Sequence, residues 1–294
     1  MSIGVALSGG GVRGACHIGA LKALEEGMVK IDAISGTSMG AIVGTLYACG
    51  YTPEEMAQIF EQYDLDNLFQ GKLSHKRAVA KLLGVLFSLW ARDGEGRCGL
   101  FHMGKVERIL EQLLLRRGAR MMTDTAMFLA MPAVDLKSGR TVFFVSDKRP
   151  FVDAEQRIYI DRAQLAEAAR ASASFPVVFS PYTFDGFCLS DGGITTPIPI
   201  DVLRRWGAKR IIGIHTGMTD NEKKTCYSVF DVASRTIGLM GGQLSSFAIQ
   251  EADAKIRLDT KVGTFDFTKV SECIAFGYSE TKRQMPQILS KAYF

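Results

Sequence analysis

The first 50 residues hold two successive units in which a short apolar run gives way to a glycine-containing loop and then to a helix-forming segment. No other feature restricts the fold of this chain as tightly. In the first unit "IGVALS" (3–8) leads into "GGGVRG", and the helix that follows repeats apolar residues at Ile18, Leu21 and Leu24. In the second, "IDAIS" (31–35) leads into "GTSMG", and "AIVGTLYACG" is apolar on nearly every side until Gly50, as a buried helix must be. Strand-to-helix units in series require parallel strands joined by right-handed crossovers. The expected fold class is therefore α/β, a three-layer α/β/α arrangement around a mainly parallel sheet.

Further along, the texture changes. From "YTPEEMAQIFEQYD" to "KVERILEQLLLRR" the chain reads as helices without strands, which predicts a helical cap or lid inserted at about 51–117. Strands return at "AMFLAMPAVDL" and "TVFFVSD". The helix "AQLAEAARASASFP" halts before Pro176, a turn-rich hairpin runs through "YTFDGFCLSDGG", and a helix near "DVLRRWG" precedes the strand "RIIGIH". A glycine-broken helical stretch, a strand near "KIRLDT" and a helix from about Lys269 complete the tail. With no repeat or low-complexity linker, residues 1–294 read as a single domain carrying that insertion.

Composition bounds the function classes. Apolar residues are 47% and charged residues 22% of the 294, as in an ordinary globular chain, and a net charge of +4 is too mild to argue for nucleic acid. The N-terminus lacks the basic and apolar regions of a secretory leader, and "AVAKLLGVLFSLWA" (78–91) contains Lys81 and falls short of the roughly 20 residues of a spanning helix. A cytoplasmic protein, at most peripheral at the inner face of a membrane, is expected. The six cysteines form no C-x-x-C pair, so neither a metal site nor a cofactor is expected, and reduced thiols fit best.

"GTSMG" is a G-x-S-x-G pattern at a strand-to-helix junction, where a nucleophile elbow needs a sharp turn and little bulk on either side of its serine, here Gly36, Ser38 and Gly40. Alone, the pattern reads equally well as an N-cap serine in a glycine turn. The opening loop supplies context. If the two strands are adjacent and parallel, "SGGGVRG" lies at the same carboxyl edge of the sheet, and amides from Gly9, Gly10, Gly11 and Val12 become candidate oxyanion donors. Arg13 is a candidate charge stabiliser, with a structural salt bridge as the competing role. Gly9, Gly11 and Gly14 also satisfy G-x-G-x-x-G, so a non-catalytic nucleotide-binding module is the rival. The acid that such a module needs, Asp32, would stand at the wrong end of its strand.

A serine nucleophile needs a base. His17 reads as a packed residue, and His75 and His102 lack an orienting acid. His215, ending "RIIGIH", would complete the order Ser38, Asp191, His215 of an α/β-hydrolase triad. Asp191 itself, followed by Gly192 and Gly193, is the other candidate, although Asp-Gly-Gly alone is a good turn and nothing more.

Taken together and in order, "SGGGVRG" (8–14), "GTSMG" (36–40), "ASASFPVVFSP" (171–181) and "DGG" (191–193) resemble the patatin-like phospholipases, over Ile3 to about Ile214 and again in the last 35 residues or so. The resemblance implies a Ser-Asp dyad without histidine. Ser38 attacks an acyl carbonyl, Asp191 takes its proton, and the glycine loop holds the oxyanion. It also implies a phospholipid or lysophospholipid substrate, with acyl transfer as the alternative fate of the acyl group. An aspartate acting as base at neutral pH must be desolvated, because its ordinary pKa is far too low.

Between Asn67 and Arg92 the chain carries five basic residues and no acid, interleaved with apolar ones. Lys76, Arg77, Lys81, Phe87 and Trp90 are the membrane-contact candidates for a lid docking transiently on an anionic surface, and a buried cap helix with solvated basic ends is the competing reading.

Overall fold

The computed structural model describes residues 2–63, 103–217 and 229–293. Strand β1 (Ile3–Leu7) is buried at every position, as expected of a parallel strand covered on both faces. It feeds a 3-10 turn and helix α1 (Cys16–Glu26), followed by β2 (Ala33–Gly36) and the fully buried α2 (Met39–Ala48). Helix α3 (Pro53–Gln62) starts with a capping box between Thr52 and Glu55 and with proline at its first position.

Helix α4 (Gly104–Arg116) precedes β3 (Phe128–Asp135), β4 (Thr141–Val145) and the short β5 (Arg157–Ile160). Then come α5 (Leu165–Ser172), the hairpin β6 (Tyr182–Phe184) and β7 (Phe187–Asp191), α6 (Ile200–Trp206) and β8 (Arg210–His215). The chain ends with α7 (Val229–Ala248), β9 (Ala254–Arg257) and α8 (Val270–Tyr293).

The sheet runs in the order β5-β4-β3-β2-β1-β8-β9, with the β6–β7 hairpin joined to β3. Strands β1, β2, β3, β8 and β9 pair in parallel, and β4 and β7 both run antiparallel to β3. Two hydrophobic clusters face each other across it. The larger takes Ile3, Val5 and Leu7 of β1 together with α1, α2 and α8; the smaller takes Ala6 and Ile211 with Val202 and Leu203 of α6. Met56 and Phe60 of α3 and Leu110, Leu113 and Leu114 of α4 belong to the larger cluster, so the described ends of the insertion are built into the main core. The rest of the insertion, including Lys76, Arg77, Lys81, Phe87 and Trp90, lies outside the described residues, as do His75 and His102.

Strand β3 brings the distant segments together. Its Ala130 pairs with Ser35 of β2, and its Ala133 pairs with Asp191 of β7. Strand β4 occupies the opposite edge, so β2 and β7 lie end to end along one side of β3. Leu129 O accepts from Ser146 beside β4, and alternation therefore turns Pro132, which has no N–H to pair, toward the gap between β2 and β7. Proline is tolerated inside this strand because the ladder is interrupted where it sits.

One expectation needs correcting, and one strand went unannounced. The glycine-broken stretch of the tail is one continuous helix, α7, running through Gly238, Gly241 and Gly242. Strand β5, only four residues long, has no sequence signal of its own and is held by pairing with β4.

Candidate active site

The sharp turn after β2 puts Ser38 at φ 56°, ψ −121°, a backbone conformation few side-chain-bearing residues adopt. The glycines around it make that possible. A Cβ at Gly36 would lie 2.1 Å from Gly40 O, and one at Gly40 would lie 2.6 Å from Ser8 O. Helix α2 begins at the next residue, so its N-terminal dipole favours negative charge at the serine. Ser38 is half-buried and reachable from solvent.

The "ASASFP" block supports both catalytic loops. Ser172 Oγ, fully buried at the end of α5, accepts from Ser38 N at 3.2 Å. Ser174 O accepts from Asp191 N at 3.0 Å and from Ser190 Oγ at 2.9 Å. Thr37 Oγ1 donates to Thr196 O at 2.8 Å, tying the elbow to the segment beyond Asp-Gly-Gly.

Asp191 is 3% exposed. Burial raises its carboxyl to about 6, against the opposing pull of Ser38, whose hydroxyl faces the carboxylate, and of Gly193 N, which donates to Oδ1 at 2.7 Å. Oδ2 is buried and has no partner of full hydrogen-bond geometry among the described residues. Gly192 is required for closeness, since a Cβ there would lie 2.3 Å from Pro132 O; one at Gly193 would lie 2.9 Å from Asp191 Oδ1. A serine hydroxyl and a buried carboxylate of raised pKa thus share one site.

The glycine loop passes directly over the serine: a Cβ at Gly9 would lie 3.4 Å from Ser38 Cβ. Its four candidate amides are not equivalent. Gly9 N donates to Pro197 O at 3.2 Å and Val12 N to Thr264 O at 2.9 Å, so those two are engaged. Gly10 N and Gly11 N find no acceptor among the described residues. Gly11 has φ 58°, and a Cβ there would lie 2.2 Å from Thr264 O.

Arg13 is 7% exposed and makes no salt bridge among the described residues. Its guanidinium donates to Gly217 O at 2.7 Å, Thr264 Oγ1 at 3.1 Å and Gly10 O at 3.3 Å, clamping the loop to its neighbours. Burial lowers its pKa without threatening its charge at neutral pH.

No hydrogen bond or ion pair joins His215 to Asp191 or Ser38 among the described residues. The ring is surrounded by Asp259, Arg257 and Arg13, and burial lowers its pKa. His17 is completely buried, donates through Nε2 to Ser8 O at 2.8 Å and is depressed to about 4 by desolvation, so it stays neutral. Asp32, which the nucleotide-binding alternative needs at a ribose, accepts from Ile3 N at 2.9 Å at the opposite end of the sheet. Among the described residues no group of three His, Cys, Asp or Glu side chains is arranged to hold a metal ion.

Sequence reasoning marked the "ASASFP" block but missed the individual duties of Ser172 and Ser174, and it missed Thr216 and Thr264 altogether. Thr216 Oγ1 donates to Gly9 O at 2.9 Å, and Thr264 meets the loop from some 250 positions away in sequence. No local pattern announces such a contact.

Comparison with known proteins identifies the family and the fold. The family model for patatin-like phospholipases matches residues 5–204. The protein YqhO of Bacillus subtilis is 29% identical over 239 residues, 79% of this chain and 78% of its own length. The NTE family protein Rv1063c of Mycobacterium tuberculosis is 30% identical over 198 residues, 67% of this chain but only 44% of its own length. Patatin-like phospholipase domain-containing protein 6 of Mus musculus is 29% identical over 226 residues, 14% of its length. Among solved structures, VipD from Legionella pneumophila has a similar fold, with a TM-score of 0.52 at 15% identity over 98% of this chain and 67% of that one. The chain belongs to the patatin-like phospholipase family, a family of lipid hydrolases.

Proposed function

We propose that this protein hydrolyses carboxylic ester bonds of phospholipids or lysophospholipids through a Ser38–Asp191 dyad and an acyl-enzyme. The observation that carries the reading is the buried Asp191 carboxylate, raised to about 6, with Ser38 beside it and Oδ2 unpartnered among the described residues. Ser38 Oγ attacks the acyl carbon as its proton passes to Asp191. The tetrahedral oxyanion is held by the amides of Gly10 and Gly11, the two left unengaged in the loop, and by the dipole of α2. Collapse breaks the ester C–O bond, and Asp191 returns the proton to the leaving alkoxide. Asp191 then takes a proton from water, whose oxygen attacks the acyl-enzyme. Ser38 leaves with that proton and the fatty acid is released.

A carboxylate raised to about 6 is still largely ionised at pH 7, yet it is far more basic than a solvated one, as a base for serine requires. Arg13 acts by fixing the loop and by the field of its buried charge. Membrane contact accompanies such a substrate, and localisation at a membrane surface belongs to this proposal. Among the described residues no helix is long and apolar enough to cross a bilayer.

The test is labelling with a fluorophosphonate, followed by incubation with defined phospholipids and lysophospholipids and analysis of the released fatty acids. Labelling that disappears in Ser38→Ala, together with fatty acid release, supports the reading. Labelling that persists in that variant overturns it. Acyl groups recovered mainly on an added alcohol instead of water would point to a transferase.

A further inference from the structure

Helix α7 is folded with its polarity reversed. A surface helix normally turns its apolar side inward. Here the inward side, away from solvent, carries Gly238, Gly241, Ser245 and Ala248, with Ser245 Oγ bonded back to Gly241 O at 2.8 Å. The outward side carries Val232, Leu239, Met240, Leu244 and Phe247, of which Met240 is 63% and Phe247 71% exposed. The residues exposed between them, Thr236, Gln243 and Ser246, are uncharged. From Val232 to Phe247 the stripe is about 22 Å long.

The helix itself adjoins the candidate active site. The inward side of α7 packs on the 3-10 turn Gly192–Ile194 that follows Asp191, and a Cβ added at Gly241 would come to 4.0 Å from Gly193 O. The small residues on that side let the helix lie close to the turn while its bulky side chains point the other way.

We propose that the outward face of α7 is the surface by which the protein docks on uncharged lipid bilayer, next to the site where the ester is cleaved. The inference rests on the lipid-hydrolase reading above. Five partly exposed side chains of this size offer roughly 500 Å², below the ~800 Å² per partner of a stable protein–protein contact, so a second copy is poorly served by this face. The same area, apolar with Arg235 only at its border and arranged along one helix, suits shallow burial in the headgroup and acyl boundary. Because the side chains exposed on the face among the described residues are uncharged, with Arg235 half-buried at its border, docking needs no anionic lipid and resists salt, unlike the attraction expected of a basic segment.

The experiment is flotation of the full chain with phosphatidylcholine vesicles at low and high salt, alongside turnover of those vesicles and of a water-soluble short-chain ester. For Phe247→Asp and for the double variant Leu239→Ser/Met240→Ser, vesicle binding and vesicle turnover should fall about tenfold or more, with soluble ester turnover within about twofold of the parent. The parent should bind vesicles to the same extent at both salt concentrations. Unchanged binding by both variants overturns the proposal, as does a parent that binds only anionic vesicles. So does a parent that sediments as a dimer which the variants convert to monomer. Absence of soluble ester turnover in the parent would instead strike the hydrolase reading, and the flotation result would still decide the role of α7.

Discussion

Replacing Asp191 with Asn removes a charge that the fold tolerates at a cost, and the cost can be worked out. The carboxyl rises from the ordinary 3.8 to about 6 on folding because it is buried. A native pKa above the unfolded one means that the native state holds its proton more tightly. The penalty is therefore absent below pH 3.8, grows as pH rises, and is complete above about 6. The difference between those two values corresponds to about 3 kcal/mol of lost stability at pH 8, and to about 1 kcal/mol at pH 4.5, where the native carboxyl is still protonated.

Asparagine keeps an oxygen for Gly193 N, fills the same volume and carries no charge. Measured by urea unfolding, Asp191→Asn should be more stable than the parent at pH 8, and the gain should shrink by about 2 kcal/mol on going to pH 4.5. Activity should move the opposite way, falling about 10²–10⁴-fold, because the base is gone. In the parent, kcat/KM should drop about tenfold between pH 7 and pH 5 as Asp191 takes up its proton. A variant that keeps its activity, or that gains no stability at pH 8 relative to pH 4.5, would refute the assignment of Asp191 as the buried base.

Three further outcomes follow from the same geometry. Gly36→Ala drives a Cβ to 2.1 Å from backbone at Gly40 and should cost about 3 kcal/mol or more in unfolding free energy, whereas Gly44→Ala, with nothing nearer than 3.8 Å, should be neutral or stabilising by up to about 1 kcal/mol. Ser172→Ala strips the acceptor from Ser38 N and should lower kcat about tenfold for a stability loss of about 1–2 kcal/mol, read by steady-state kinetics and thermal unfolding. His215→Ala should keep most of the ester turnover, since no bond reaches from that ring to Asp191 or Ser38 among the described residues; loss of more than about 10²-fold would restore the triad.

Where sequence reasoning succeeded, the information is local. The strand, loop and helix of residues 3–26 and of 33–48 each declare themselves by apolar runs and by glycines whose Cβ would strike neighbouring backbone. Asp-Gly-Gly is readable for the same reason, because Gly192 has Pro132 O against it. What stayed hidden is long-range. That Val12 N is spent on Thr264 O, that Arg13 binds carbonyls and a hydroxyl in place of an acid, and that β3 carries β2 and β7 in one line are all facts of assembly. Helix α7 misled for a different reason: its glycines read as breaks, yet the helix runs on through them, and Gly241 comes up against a neighbouring turn.

Several features that break the local rules belong to segments that meet near Ser38 and Asp191. Ser38 sits at positive φ without being glycine, Asp191 is a carboxylate buried with one oxygen unpartnered among the described residues, Pro132 interrupts a strand interior, and α7 shows its apolar side to solvent. Each violation costs stability where it stands, and the surrounding structure has to over-determine it: two tight glycines hold the elbow, Ser172 and Ser174 hold both loops, and Thr264 and Arg13 hold the glycine loop. A fold free to optimise stability alone would relax these features one by one, by a solvated Asp191, a flat turn at Ser38 or an inverted α7. Their persistence around Ser38 and Asp191 is what the proposed ester hydrolysis would require.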